Sequence, residues 1–84
     1  MGEYANVKYK KFKKGILKWL EKKDDIRVES GGKHHIKVCC IHNGESFTVP
    51  KRHNEIDKFI VKDFMKWLVK NEVCTKDEFD EKIK

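Results

Sequence analysis

Gly32-Lys33-His34-His35-Ile36-Lys37-Val38-Cys39-Cys40-Ile41, then His42-Asn43-Gly44-Glu45 and Ser46-Phe47-Thr48-Val49-Pro50, is the stretch that decides the fold of this chain. The β-branched content of residues 34–41 predicts a strand. Asn43-Gly44 signals a type I′ hairpin turn, and Ser46 to Val49 return as the next strand. Pro50 closes the hairpin, because a residue without an N–H does not continue a ladder. Upstream, Ile26-Arg27-Val28-Glu29-Ser30 alternates as a first short strand, and Gly31-Gly32 turns it into the second. Three consecutive antiparallel strands result.

Helical periodicity flanks them. From about Tyr9 to Lys23, Phe12, Ile16, Trp19 and Leu20 recur at helical spacing, with Lys11, Lys14, Lys18 and Lys22 on another face. Gly15 weakens this helix without breaking it, and Asp24-Asp25 end it. A second helix is predicted from about Glu55 to Lys70, with Asn54 as N-cap and Asn71 as a left-handed stop. Its apolar arc is Ile56, Phe59, Ile60, Phe64, Trp67 and Leu68, opposite Lys58, Lys62, Lys66 and Lys70. Thr75 and Glu78 have capping-box spacing, starting a short last helix through Ile83 that docks by Phe79 and Ile83. The expected class is α+β: one domain over residues 1–84, with two main helices on one sheet face and the other face free for function.

An 84-residue chain of 10.0 kDa holds one modest core and excludes a multidomain enzyme. No apolar run approaches the roughly 20 residues that span a bilayer, and the first residues lack a leader's apolar centre. No membrane association and a cytoplasmic location are therefore expected. Three cysteines make no disulfide framework, so reduced thiols and no metal or other cofactor are expected. The alternative is a zinc site from Cys39 or Cys40, His42, Cys74 and a further histidine, which lacks a Cys-x-x-Cys pair.

The formal net charge is +6, and residues 1–23 alone hold eight lysines against two glutamates. Such a segment is either a solvated lysine face or the footprint of an anionic partner. On the predicted strand of residues 34–41, alternation puts Ile36, Val38 and Cys40 on the core face together with His34, and projects His35, Lys37 and Cys39 from the other. An imidazole with an ammonium two residues away can move a proton at a ribose hydroxyl or a leaving oxygen while the cation offsets phosphate charge. The alternative for His34 and His35 is a polar start to the strand.

The order helix, strand, Gly32-Lys33-His34-His35, strand, hairpin, Thr48-Val49-Pro50-Lys51-Arg52-His53, Glu55-Ile56, helix and Asp77-Glu78-Phe79 resembles the HicA (YcfA-like) toxin family over roughly residues 10–83. The resemblance implies a double-stranded-RNA-binding-domain-like α-β-β-β-α fold. It implies an mRNA interferase of a type II toxin–antitoxin system, neutralised by a HicB-like antitoxin protein. It further implies metal-independent cleavage of single-stranded mRNA, with a strand-borne histidine in the catalytic role. That histidine precedes by three a core apolar residue of its strand. His35 has Val38 at this offset and His34 has Lys37, so His35 is assigned, with its neighbour His34 as the second candidate. Lys33, Lys37, Lys51, Arg52 and His53 would position phosphates, joined by Lys14 and Lys18 of the first helix. The chain departs from the family pattern at Lys33, where a serine is usual, at Asp24-Asp25 in place of a glycine, and at Phe59-Ile60 in place of Gly-Thr. Two residues rather than one also separate Pro50 from His53. The alternative function is a non-catalytic RNA-binding module of the same fold. A DNA-binding or protein-interaction domain ranks last, because no helix carries the Arg, Asn and Gln that read bases.

Overall fold

Period-two alternation in residues 26–50 builds the sheet. In the computed structural model, which describes residues 4–30, 35–51 and 54–83, β1 (Ile26–Ser30), β2 (His35–Cys40) and β3 (Ser46–Pro50) form one antiparallel sheet in the order β1-β2-β3. Val28 stands opposite Val38, Val38 opposite Phe47, and Ile36 opposite Val49. Ile26, Val28, Ile36, Val38, Cys40, Phe47 and Val49 therefore share the core face. Pro50 is the last residue of β3 and pairs with His35. This edge strand accommodates it, since an N–H directed away from the sheet is not missed.

The hairpin turn differs from expectation. A type I′ turn needs positive φ at both central residues, and of Asn43 and Gly44 only Gly44 has it, at 74°. The loop spans residues 41–44, with the Cys40 N–H donating to Glu45 O and the Gly44 N–H to Cys40 O. Asn43 has other work: its Oδ1 accepts from the Glu45 N–H, and its Nδ2 donates to Asn71 Oδ1.

The first helical region is a continuous rod made of α1 (Tyr9–Phe12), a π-helical segment (Lys13–Leu17) and α2 (Lys18–Glu21); its junction residues all keep right-handed helical dihedrals. The wide turn contains Gly15, where an added Cβ would lie 2.2 Å from the Lys82 carbonyl oxygen. The glycine thus serves a close helix crossing. Tyr9, Phe12, Ile16, Leu17 and Leu20 are buried, whereas Trp19 is only half-buried. Lys23 Nζ and Lys82 Nζ lie 4.9 and 5.7 Å from its ring centroid.

The second long helix, α3 (Lys58–Lys70), starts later than the pattern suggested and is capped by Asp57, whose Oδ1 accepts from the Phe59 N–H at 2.8 Å. Asn54 is not the cap, because residues 54–56 run alongside the start of the rod. There the Tyr9 N–H donates to Asn54 O, and the Ile56 N–H donates to Val7 O. The buried stripe of α3 is Val61, Phe64, Met65 and Leu68, while Phe59 is 66% exposed. At about 100° per residue Phe59 lies nearly opposite that stripe, so it does not belong to the core as its hydrophobicity suggested. Glu72, at φ 60°, and not Asn71, takes the left-handed position after α3. Asn71 instead is buried, with its Nδ2 donating to Trp67 O.

The capping box forms as read. The Thr75 N–H donates to Glu78 Oε1 at 3.1 Å and the Glu78 N–H to Thr75 Oγ1 at 3.2 Å, opening α4 (Lys76–Ile83). Phe79 of α4 is fully buried and meets Phe64 and Tyr4 edge-on. One hydrophobic cluster joins the core face of the sheet to the rod, α3 and α4. The class is α+β, a three-stranded antiparallel sheet with three helical bodies. Among the described residues no helix is long and apolar enough to cross a membrane.

Candidate nucleic-acid interface

His35 opens β2, and both it and Lys37 are exposed on the sheet face opposite the core, while Cys39 on the same face is half-buried. The burial of Ile36, Val38 and Cys40 against the exposure of His35 and Lys37 follows directly from strand alternation. This face is not strongly basic. Arg27 Nε binds Glu29 Oε1 at 2.9 Å, and Glu29 stands opposite Lys37 in the register. One carboxylate therefore offsets part of the charge of two cations. Lys33, His34, Arg52 and His53 lie outside the described residues.

A dense run of lysines sits on the rod. A cavity of about 300 Å³ opens where the rod meets the sheet, lined by Lys13, Leu17, Lys18, Glu21, Val28, Ile36 and Lys51. Ile36 follows His35 in β2, and Lys51 follows Pro50, the register partner of His35. The cavity thus opens on the core side of the sheet end where His35 projects from the opposite face. Lys13 and Lys18 also line a hollow of about 380 Å³ with Lys10 and Lys14, the only other described residues in its wall. Lys10 and Lys14 in turn border a groove of about 710 Å³ with Lys8, Lys11, Gly15, Asn54 and Lys82. Shared walls join the three depressions into one track. Lys8 is paired with Glu55 at 3.5 Å. Lys10, Lys11, Lys13, Lys14 and Lys18 make no ion pair among the described residues.

Sequence reasoning chose Lys14 and Lys18 on the rod and Lys51 beyond β3, and the structure gathers all three along this track. It missed Lys8, Lys10 and Lys13 as members. Their signal was present in the lysine excess of residues 1–23. Lys82 joins through the crossing of α4 at Gly15, which no local pattern reveals.

A second cluster lies at the other end of the sheet. Cys40 Sγ is 3.2 Å from His42 Nδ1, and Asp25 Oδ2 is 4.0 Å from that same nitrogen. Sγ also lies 3.6 Å from His42 Nε2, but the Asp25 oxygen at 4.0 Å is beyond hydrogen-bond distance of the ring, so these three do not form a thiol–imidazole–carboxylate relay. Burial, with help from Asp25, pushes the Cys40 thiol up and disfavours its thiolate. Burial also pushes the Cys74 thiol up to about 11. Among the described residues no group of three or more His, Cys, Asp and Glu side chains is arranged to hold a metal ion.

No protein-family model matches the chain, no curated protein matches it, and no solved structure matches it.

Proposed function

We propose that the protein is an endoribonuclease that cuts single-stranded mRNA at His35, the toxin of a type II toxin–antitoxin pair as its resemblance to the HicA family implies. The observation that carries this reading is the position of His35. It is an exposed imidazole on the helix-free face of the sheet, two residues from Lys37, at the sheet end bordered by Lys13, Lys18 and Lys51. Those lysines flank the core side of that sheet end, so a strand resting on them passes round the sheet edge to reach His35 on the opposite face. In this reaction a ribose 2′-oxygen bonds to the adjacent phosphorus and the P–O5′ bond breaks. The products are a 2′,3′-cyclic phosphate and a 5′-hydroxyl. His35 takes the proton from the attacking hydroxyl or supplies one to the leaving oxygen, and Lys37 offsets charge on the phosphoryl oxygens. The order of helix, three strands and helix, with the rod and α3 packed on one face, supports a double-stranded-RNA-binding-domain-like topology. A cytoplasmic location and a HicB-like antitoxin covering the active face belong to the same reading.

The test is a denaturing gel of a fluorescent mixed-sequence RNA incubated with the protein in EDTA. The parent is expected to cut, and a folded His35→Ala variant to be slower by about a hundred to ten thousand-fold. RNA binding by both proteins without a strand break overturns the catalytic reading in favour of a non-catalytic RNA-binding module.

A further inference from the structure

The track continues well past the sheet end that holds His35. Among the described residues its middle hollow is walled by lysines alone, and its outer groove by lysines with Gly15 and Asn54. Among the described residues no carboxylate lines either one, and the only acid in all three depressions is Glu21, at the inner end. We propose that this track is a binding site for the phosphodiester backbone of single-stranded RNA, holding the strand outside the nucleotides at His35. The site rests on the ribonuclease reading only for where the strand would be cut.

Three features select this ligand. Protein interfaces are built round an apolar or aromatic centre, and among the described residues neither the middle hollow nor the outer groove has an apolar side chain. Among the described residues the cations of the track are lysines, which present point charges and no planar fork; this suits phosphates and reads no base edge. From Lys10 to Lys18 the rod advances no more than about 12 Å at 1.5 Å per residue. Duplex recognition by shape spans about 16 base pairs across two minor grooves, a longer footprint than this single row. The floor is also fixed. Gly15 brings the rod against the Lys82 carbonyl, so the two walls of the outer groove are held together by backbone contact, and π turns of this kind recur at functional sites.

The test measures binding by fluorescence anisotropy, across a salt series, to a 20-nucleotide 2′-O-methyl RNA. This strand cannot be cut through its 2′ position. The variant Lys10→Gln/Lys11→Gln/Lys14→Gln is compared with Lys62→Gln/Lys66→Gln/Lys70→Gln, which removes equal charge from exposed positions on α3. The rod variant is expected to bind at least tenfold more weakly. Its plot of log affinity against log salt should be shallower by about two, since each phosphate that a lysine neutralises on a single strand adds about 0.7 to the slope. The α3 variant is expected to follow the parent. Equal weakening by both variants overturns the site, because net charge then accounts for binding. Tighter binding of a duplex of the same sequence, or of a polyglutamate peptide, overturns the assignment of a single RNA strand. If the track binds as expected and the parent cuts no RNA, only the ribonuclease reading falls.

Discussion

Cys74 shows how burial governs a single residue. Its thiol is buried against the core, and with Glu78 nearby it is pushed up to about 11, while an unfolded chain releases the proton near 8.5. Between these values the native state keeps a proton that the unfolded state has lost, so stability falls as pH rises. Each pH unit in that window costs about 1.4 kcal/mol. Denaturant melts of the parent and of Cys74→Ala from pH 7 to 10 check this. The variant is less stable at neutrality, since a small cavity replaces the sulfur, but it should lose less stability above pH 8.5. Parallel pH profiles would show that the thiol titrates normally. Cys39 and Cys40 are adjacent in sequence yet differ in the same way, because alternation places one toward solvent and the other in the core. Thiol exposure was therefore readable from strand parity. Cys74 was not, because it lies in the turn between α3 and α4, where no period applies.

Among the elements, the rod depends on Gly15. An alanine there gains helix propensity worth about 1 kcal/mol, but its methyl would sit 2.2 Å from the Lys82 carbonyl oxygen and force α4 away. Backbone shifts of that kind cost about 1–3 kcal/mol. Gly15→Ala should accordingly lower stability and loosen α4, read as faster amide exchange around Phe79; a stabilised variant would mean that the crossing is not tight. The same contact explains why the sequence was legible only in part. Strand alternation and the Thr75–Glu78 box are local, and both form where the pattern put them. The start of α3 at Lys58 is not local. Residues 54–56 are taken by Val7 and Tyr9, almost fifty positions earlier, which leaves Asp57 as the first residue able to cap. The turn at Asn43 is likewise decided by Asn71, a partner 28 residues away. At the candidate site, the exposure of His35 and Lys37 was readable from parity. The balance of charge on that face was not, because it depends on which residues of β1 stand beside β2.

For the molecule as a whole, the distribution of charge matters more than the net +6. On the sheet face Arg27, Glu29 and Lys37 alternate in sign, and α4 carries its own acids, with Lys76 Nζ bound to Asp80 Oδ2 at 2.8 Å. The rod has no such relief. Lys10, Lys14 and Lys18 recur every four residues and, with Lys13, wall one hollow. Like charges at this spacing destabilise a helix by about 0.2–0.5 kcal/mol per pair, so the free protein holds repulsion that a bound polyanion would relieve. Lys14→Glu converts two repulsive neighbours into two attractive ones. It should raise the free protein's stability by about 0.5–2 kcal/mol at low salt, with the gain shrinking as salt screens the charges. The same substitution should weaken RNA binding, because it puts a carboxylate in the middle of the track. Chemical denaturation at 20 and 500 mM salt, set beside anisotropy with the 2′-O-methyl strand, measures both effects on one variant. Stabilisation together with weakened binding is the pattern of a surface kept under electrostatic strain for its ligand. A variant that is destabilised at both salt concentrations would show that the rod's lysines do not repel one another, and would leave no energetic reason for a polyanion to settle there.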